Sequence, residues 1–167
     1  MQRDDYSNFK YFQCIMPQEL VATDLTGAAI DTQGFESLTI VVNVGNISDI
    51  TSTSYIGFIL EHTDASALGA GPSGYAVCAS ADFIGLVSTQ AVTSGIWRTI
   101  GAEATGGISA GLGSQTFQIG YRGNKRYVRL IIDANDTLDS AQVGAIAILG
   151  YPANWPVNEE MALDKIA

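Results

Sequence analysis

The sequence predicts an all-β fold, namely a two-sheet antiparallel β-sandwich, of which the jelly roll is one arrangement. Three observations support this class. Eight or nine short segments have strand-like patterns, clusters of Gly, Ser, Thr and Asp separate them, and no segment has the period of a long helix. The 167 residues suffice for one domain that buries its core without disulfide bonds.

Residues 36–45 give the clearest strand, because apolar residues recur there at every second position and would share one face. Residues 55–63 repeat this alternation, whereas residues 142–150 are almost continuously apolar, as expected for a strand covered on both faces or lying on an interface. Shorter strands are predicted within residues 21–32, with a break at Gly27, and over residues 75–79, 83–87 and 96–100.

The ends of the chain lack a sustained period of either helix or strand. Residues 1–18 mix charges with aromatic side chains and end at Pro17, so we expect an extended N-terminal arm that packs on its own domain or lies across a neighbouring subunit. Residues 19–152 are expected to form the β-sandwich domain. Two prolines end the regular pattern near Trp155, and residues 153–167 are expected to be a C-terminal tail.

The composition limits the classes of molecule that this protein is expected to bind. The formal net charge is -9 and the pI is about 4.3, which argues against general binding of nucleic acid. No stretch has the apolar length of a signal peptide or membrane span, so we expect a protein made in a reducing cytosol. Cys14 and Cys78 lie far apart without metal-ligand spacing, so we expect two buried free thiols, no metal and no cofactor.

The stretch from Thr116 to Asp133 departs from this acidic background, because it contains four of the eight basic residues. Strand-like alternation on both sides of Gly123 predicts two strands joined as a tight hairpin. The alternation of the second strand assigns its side chains to two faces. Val128, Leu130 and Ile132 should face the core, and Tyr127, Arg129 and Ile131 should face outward.

The sequence offers few groups for catalysis, so we expect a protein that is not an enzyme. His62 is the single histidine, no G-x-S-x-G motif presents a serine, and a cysteine–histidine pair would require Cys14 or Cys78 beside that ring. A carboxylate-dependent hydrolase stays an alternative. Its candidate residues are Glu36, Glu61 and Glu103.

Two further loops have compositions that suggest ligand sites, but we expect neither to bind a ligand. Residues 102–114 contain four glycines but match neither phosphate-binding motif, and the next element is a strand rather than a helix. Residues 133–139 are rich in oxygen ligands, yet they lack the glycine and the final acidic residue of an EF-hand loop. We therefore expect a flexible loop and an Asx-type turn.

Several segments in order carry a resemblance to a known family. They are ESLTIVVNVG, FILEHTDAS, IGYRGNKRYVRLIID and VGAIAILGYP, which fall between Gly34 and Pro152. This ordered set resembles the decoration, or cement, proteins of tailed bacteriophages. The resemblance implies a structural protein of the virion that docks on the capsid exterior, binds the major capsid protein, often forms a trimer and stabilises the head. It also implies a host-cytoplasmic stage during assembly.

An acidic body with one basic segment suits docking on an acidic surface of a capsid protein. The predicted contact residues are the cations Arg122, Lys125 and Arg126, with Tyr121 and Tyr127 as amphipathic anchors and Arg129 on the outward face. The cations could equally protect a hairpin end from edge pairing. Head-spike, tail-associated or carbohydrate-binding modules are the alternative functions, the last with stacking by Tyr75, Trp97 and Trp155.

Overall fold

The computed structural model describes residues 8–21, 23–48, 55–67, 71–86, 95–101, 114–134 and 140–153. Within these ranges nearly all regular structure is strand, and one short 3-10 turn spans Ser80–Asp82. In chain order the strands are β1 (Phe9–Leu20), β2 (Leu25–Thr26), β3 (Ile30–Asp31), β4 (Phe35–Ser48), β5 (Tyr55–Thr63), β6 (Ser66–Ala67), β7 (Gly71–Pro72), β8 (Ala76–Val77), β9 (Phe83–Ile84), β10 (Ile96–Gly101), β11 (Gln115–Tyr121), β12 (Tyr127–Ala134) and β13 (Ser140–Pro152).

The strands form two antiparallel sheets, which confirms the predicted β-sandwich. The first sheet has the order β1-β13-β4-β11-β9, and the second has the order β10-β5-β12-β2. Strands β3 and β8 add to the second sheet beside β12 and β5, and β6 with β7 makes a separate small hairpin.

The strand order is that of a jelly roll. In such a fold eight strands divide between two four-stranded sheets through two Greek keys. Here the orders β1-β13-β4-β11 and β2-β12-β5-β10 place the first strand beside the last and the second beside the last but one. Successive strands therefore often change sheet, and the chain must cross the sandwich edge between them.

Alternation along the strands builds the core between the two sheets. Every side chain predicted to face inward on β4 and β12 is buried, with at most 3% of its surface exposed. Residues 142–150 lie inside β13, between β1 and β4. The odd-numbered side chains from Val143 to Leu149 are buried, whereas Ile146 and Ile148 on the other face are only partly buried, so only one face is fully covered. The buried residues of β4, β5 and β12 are Leu38, Ile40, Val42, Val44, Ile56, Phe58, Leu60, Val128, Leu130, Ile132 and Ala134.

Gly27 explains why the second strand of the fold is divided into β2 and β3. Its N–H donates to the carbonyl oxygen of Leu130 at 2.8 Å, and the neighbouring N–H of Ala28 donates to that of Cys14 at 2.9 Å. A Cβ atom on residue 27 would lie 2.9 Å from both carbonyl oxygens. Glycine therefore permits a close backbone contact between β1 and β12, which belong to opposite sheets.

The predicted boundary of the N-terminal arm is corrected. The expected N-terminal arm, residues 1–18, contains most of β1, which from Phe9 pairs along β13 and therefore belongs to the sandwich. Bulges in β1 interrupt its two-residue period, which explains why the strand pattern is weak in the sequence. The C-terminal tail lies outside the described residues beyond position 153.

The expected hairpin over residues 116–133 is also wrong, because β11 and β12 lie in different sheets. Strand β11 pairs with β4 and β9, whereas β12 pairs with β5 and the two halves of the divided strand. The connection between them, residues 122–126, crosses from one sheet to the other. Alternating sequence around a Gly-containing turn does not distinguish this crossing from a hairpin, because both have the same local pattern.

The register of β12 predicts opposite costs for two neighbouring substitutions. We expect Leu130→Ala to lower the free energy of unfolding by about 2–5 kcal/mol, because it removes a wholly buried side chain from the core. The matched variant Ile131→Ala, on the outward face, should cost about 1 kcal/mol or less. Urea denaturation measures both, and equal costs would contradict the register.

Asp24, Asp133 and Tyr55 meet at the end of β12. The hydroxyl of Tyr55 donates to Oδ2 of Asp133 at 3.1 Å, and the N–H of Ala134 donates to Oδ1 of Asp24 at 3.0 Å. Burial raises the pKa of Asp133 and the nearby Asp24 carboxylate raises it further, while the Tyr55 hydrogen bond opposes these effects. The ionised form of Asp133 is thus disfavoured in the folded protein.

This arrangement predicts a pH-dependent gain from Asp133→Asn. Because the folded pKa is raised, the wild-type protein loses stability as pH rises through that pKa, and the neutral amide avoids this loss. The variant should have a higher melting temperature at pH 7, and its advantage should shrink as the pH approaches about 4, near the unfolded value. The control Asp64→Asn should instead lower the melting temperature at pH 7, since Lys125 lowers the pKa of Asp64. An Asp133→Asn difference that is constant with pH would contradict the assignment.

Candidate functional site

The β11–β12 crossing, residues 122–126, is held by the side chain that precedes it. The hydroxyl oxygen of Tyr121 accepts a hydrogen bond from the N–H of Lys125 at 3.1 Å, which closes the turn over the tyrosine ring. A Cβ atom on Gly123 would lie 2.4 Å from this hydroxyl oxygen, so the close packing depends on glycine. The crossing carries most of the basic residues that stood out in the sequence.

Carboxylates of the same chain neutralise two cations of the crossing. Nζ of Lys125 lies 2.6 Å from Oδ2 of Asp64, just beyond the end of β5. Arg126 forms two parallel hydrogen bonds to Asp31, with Nε 3.0 Å from Oδ1 and Nη2 2.9 Å from Oδ2. Asp64 also accepts the N–H of Arg126 at 3.0 Å. These contacts tie the crossing to the second sheet.

Arg129 is paired on the outer face of that sheet. Its Nη2 lies 2.7 Å from Oε2 of Glu61, the residue directly opposite on β5, and its guanidinium carbon lies 3.9 Å from the ring centre of Tyr75. The Glu61 side chain is only 16% exposed, so both charges are partly removed from water. A charged pair in this setting with a stacked ring is a local structural unit rather than a free cation.

Arg122 differs from the other three cations. Its Nε donates to the carbonyl oxygen of Ala81 at 2.7 Å, and its N–H donates to that of Asp82 at 2.8 Å. Among the described residues, Arg122 makes no ion pair. The side chain is exposed, so the rest of its guanidinium remains able to bind a carboxylate from another molecule.

A groove of about 510 Å³ lies beside Arg122 on the outer surface of the first sheet. Its floor consists of β4 and β11 where they pair, and β9 forms one wall. Ile84 of β9 lines the groove with 56% of its surface exposed, which is unusual for a large apolar side chain. The groove therefore combines an apolar contact with a cation that pairs with no carboxylate in the described ranges, and we call it the Arg122 groove.

Behind the crossing, Tyr121 contacts the single histidine. Its hydroxyl oxygen lies 2.9 Å from Nδ1 of His62, and the two rings meet edge to face. One ligand atom from each of His62, Cys78 and Asp82 lies within 4.8 Å of the other two. The fold thus brings together a histidine, a thiol and a carboxylate that are separated in the sequence and showed no ligand spacing there.

The Cys78 thiol is not set up as a nucleophile. Its side chain is 1% exposed, and burial together with the nearby Asp82 and Glu61 carboxylates raises its pKa to about 12. The thiolate rather than the thiol is the reactive form. Cys14 lies elsewhere in the core, where burial raises the pKa of its thiol to about 11. Both cysteines are free and buried, as the sequence predicted.

The structure separates the six predicted contact residues into different environments. Tyr121 is 6% exposed and lies in the core, so its expected place as a surface anchor is corrected. Tyr127 faces outward as predicted, with Arg126 4.8 Å above its ring centre. Arg129 also faces outward, although it is engaged by Glu61. The sequence did not identify Ile84 or the cluster around His62, because both depend on contacts between distant segments.

The residues proposed for carbohydrate stacking are not arranged as a platform. Trp97 is buried at 4% exposure and packs on Phe58, and the Tyr75 ring is covered by Arg129. Trp155 lies outside the described residues. Of the hydrolase candidates, Glu61 is paired with Arg129, Glu36 lines the Arg122 groove and Glu103 lies outside the described residues. The oxygen-rich loop is described only at residues 133–134, and the Gly-rich loop only at Ser114.

No family model and no curated protein matches this sequence. A search of solved structures matches the structure of infectious bursal disease virus, Gx strain, with 12% sequence identity and a TM-score of 0.27. The match covers 93% of this chain and 43% of the viral chain. Within the described ranges, no helix reaches the length and apolarity needed to cross a bilayer.

The two ion pairs of the crossing predict unequal coupling energies. In a double-mutant cycle, Arg126→Gln with Asp31→Asn should give about 0.5–1 kcal/mol, because the pair is bidentate and the Asp31 side chain is only 14% exposed. The same cycle with Lys125→Gln and Asp64→Asn should give a smaller coupling, since both side chains are more exposed. Urea denaturation measures both cycles, and a larger coupling for Lys125 would contradict the geometry.

Proposed function

We propose that this chain is a non-enzymatic structural protein of a virion, a capsid decoration protein that binds the outer surface of the major capsid protein and stabilises the phage head. The observation that carries this proposal is the Arg122 groove. It presents a guanidinium that forms no ion pair with the described residues, beside an exposed isoleucine on the face of a sheet. A partner that offers a carboxylate beside an apolar side chain would satisfy both groups.

The internal pairing of the other cations sharpens the proposed contact. Lys125, Arg126 and Arg129 are each held by a carboxylate of this chain, and using them for docking would require these pairs to break. Arg122 has no such cost. We therefore assign the main docking contact to Arg122 and Ile84, and we assign the other cations to the stability of the crossing.

The architecture is compatible with the proposed setting. Jelly rolls serve as capsid and lectin domains, so the fold class by itself supports either use. The buried Trp97 and the covered Tyr75 disfavour the lectin use, and the groove favours protein contact. On the ordered sequence resemblance to phage decoration proteins, we propose the capsid exterior as the location, after a cytoplasmic stage during assembly.

Self-association, with a trimer favoured, is part of the proposal. Only 15% of the residues are charged, so much of the surface is uncharged and suits contacts between subunits. Strand β1 is at an edge of the first sheet, and it exposes 58% of Tyr11 and 67% of Met16. Exposed apolar side chains on an edge strand suit a contact between subunits.

The docking contact is tested by comparing two substitutions that remove the same charge. We expect Arg122→Gln to reduce the amount of protein that cosediments with shells of the major capsid protein by about 10-fold, the loss expected for an interfacial charged contact. Lys125→Gln should leave this amount within about 2-fold of wild type, because Lys125 is already paired with Asp64.

Ile84→Ser provides an independent variant, since it changes the apolar part of the groove without touching the crossing. It should also lower cosedimentation, while circular dichroism remains that of the wild type. Full shell occupancy by both groove variants would contradict the assigned contact. Binding to tails rather than heads would contradict the proposed location, and shells that melt at the same temperature with and without the protein would contradict the stabilising role.

A further inference from the structure

We infer that His62, Cys78 and Asp82 form a binding site for a divalent cation of the zinc class. The three ligand atoms come from three segments and lie within 4.8 Å of one another. Metal–ligand distances of about 2.0–2.3 Å place tetrahedral ligands somewhat closer together than this, so a modest contraction around an ion would complete the site. This inference does not depend on the proposed docking function.

The backbone holds each ligand in place. His62 is on β5 opposite Ala76 of β8, and Cys78 follows β8 beside Leu60, whose side chain shares a strand face with His62. The N–H of Cys78 donates to the carbonyl oxygen of Leu60 at 2.9 Å. The 3-10 turn Ser80–Asp82 then brings the carboxylate back, where Oδ2 of Asp82 accepts the N–H of Ala79 at 2.8 Å.

Tyr121 acts as an outer-shell partner for the histidine. Because its hydroxyl oxygen contacts Nδ1 of His62, the other ring nitrogen is the one available to an ion. A hydrogen bond to the distal nitrogen is the usual way in which a metal-binding imidazole is oriented. The same hydroxyl accepts the N–H of Lys125, so the crossing itself supports the position of the ring.

The donor set selects the class of ion. One nitrogen, one sulfur and one oxygen suit zinc, whereas magnesium and calcium require oxygen ligands. A thiolate and a carboxylate together balance the charge of a divalent ion. His62 and Asp82 are only partly buried, so an ion can reach the site from solvent, and water or another donor would occupy the remaining tetrahedral position.

The proposed site lies between residues associated with the two different sheets. His62 and Cys78 belong to or follow strands of the second sheet, whereas Asp82 directly precedes β9 of the first sheet. An ion bound by all three would therefore link the two sheets at the end of the sandwich where the β11–β12 crossing lies. Binding to the folded state alone should raise the melting temperature.

The test uses untagged, reduced full-length protein and Co²⁺ as a spectroscopic substitute for Zn²⁺. We expect a thiolate-to-cobalt charge-transfer band and tetrahedral ligand-field bands that saturate at one equivalent and disappear when Zn²⁺ is added. Cys78→Ser should abolish the charge-transfer band, and Cys14→Ser should retain it, because Cys14 is an equally buried cysteine outside the cluster.

Two further variants keep the test decisive if Cys78→Ser folds poorly. Asp82→Asn should weaken Co²⁺ binding at least about 100-fold, and Tyr121→Phe should weaken it about 10-fold, as expected for loss of an outer-shell hydrogen bond. Zn²⁺ should raise the melting temperature of the wild type, whereas Mg²⁺ should not. The inference is overturned by a missing charge-transfer band in the wild type, by a band that survives Cys78→Ser, or by a band lost in Cys14→Ser.

Discussion

The passage of the chain from the first sheet to the second at residues 122–126 is the constraint on which the rest of the structure depends. A jelly roll requires β11 and β12 to lie in opposite sheets, so their connection must turn over the end of the core. The Tyr121 hydroxyl accepts a hydrogen bond from the crossing at this end of the core, and Asp31 and Asp64 bind the crossing through ion pairs. The pairing of β12 with β5 then fixes the register that buries Val128, Leu130 and Ile132.

The same constraint determines which surface chemistry remains available. Lys125 and Arg126 of the crossing form ion pairs with carboxylates of this chain, and Arg129 of β12 pairs with Glu61. The basic cluster is therefore largely neutralised within the molecule. Arg122 lies at the start of the crossing and contacts backbone carbonyl groups instead. Arg122 is the one member of the basic cluster that the proposed docking contact uses, together with the exposed Ile84. The basic stretch thus contributes mainly to stability, and the proposed docking contact uses a single member of it.

Much of the fold follows from local pattern. The alternation in β4, β5 and β12 specifies their core faces, and the break at Gly27 marks the divided strand. The sheet to which each strand belongs does not follow, because pairing depends on partners far away in the sequence. The hairpin prediction failed for this reason. The ion pairs join residues 61 to 95 positions apart, and the cluster of His62, Cys78 and Asp82 depends on the β5–β8 pairing, so neither was predictable from spacing.

The most direct test of the account is site-specific photo-crosslinking from the Arg122 groove. A photoreactive amino acid at Gln118, an exposed residue that lines the groove, is compared with one at Val77, which is 45% exposed on β8 of the other sheet. Each protein is bound to shells of the major capsid protein, irradiated and analysed by mass spectrometry. The account predicts a crosslink to the capsid protein from position 118 and little from position 77. Equal yields, or a crosslink from position 77 alone, would contradict it.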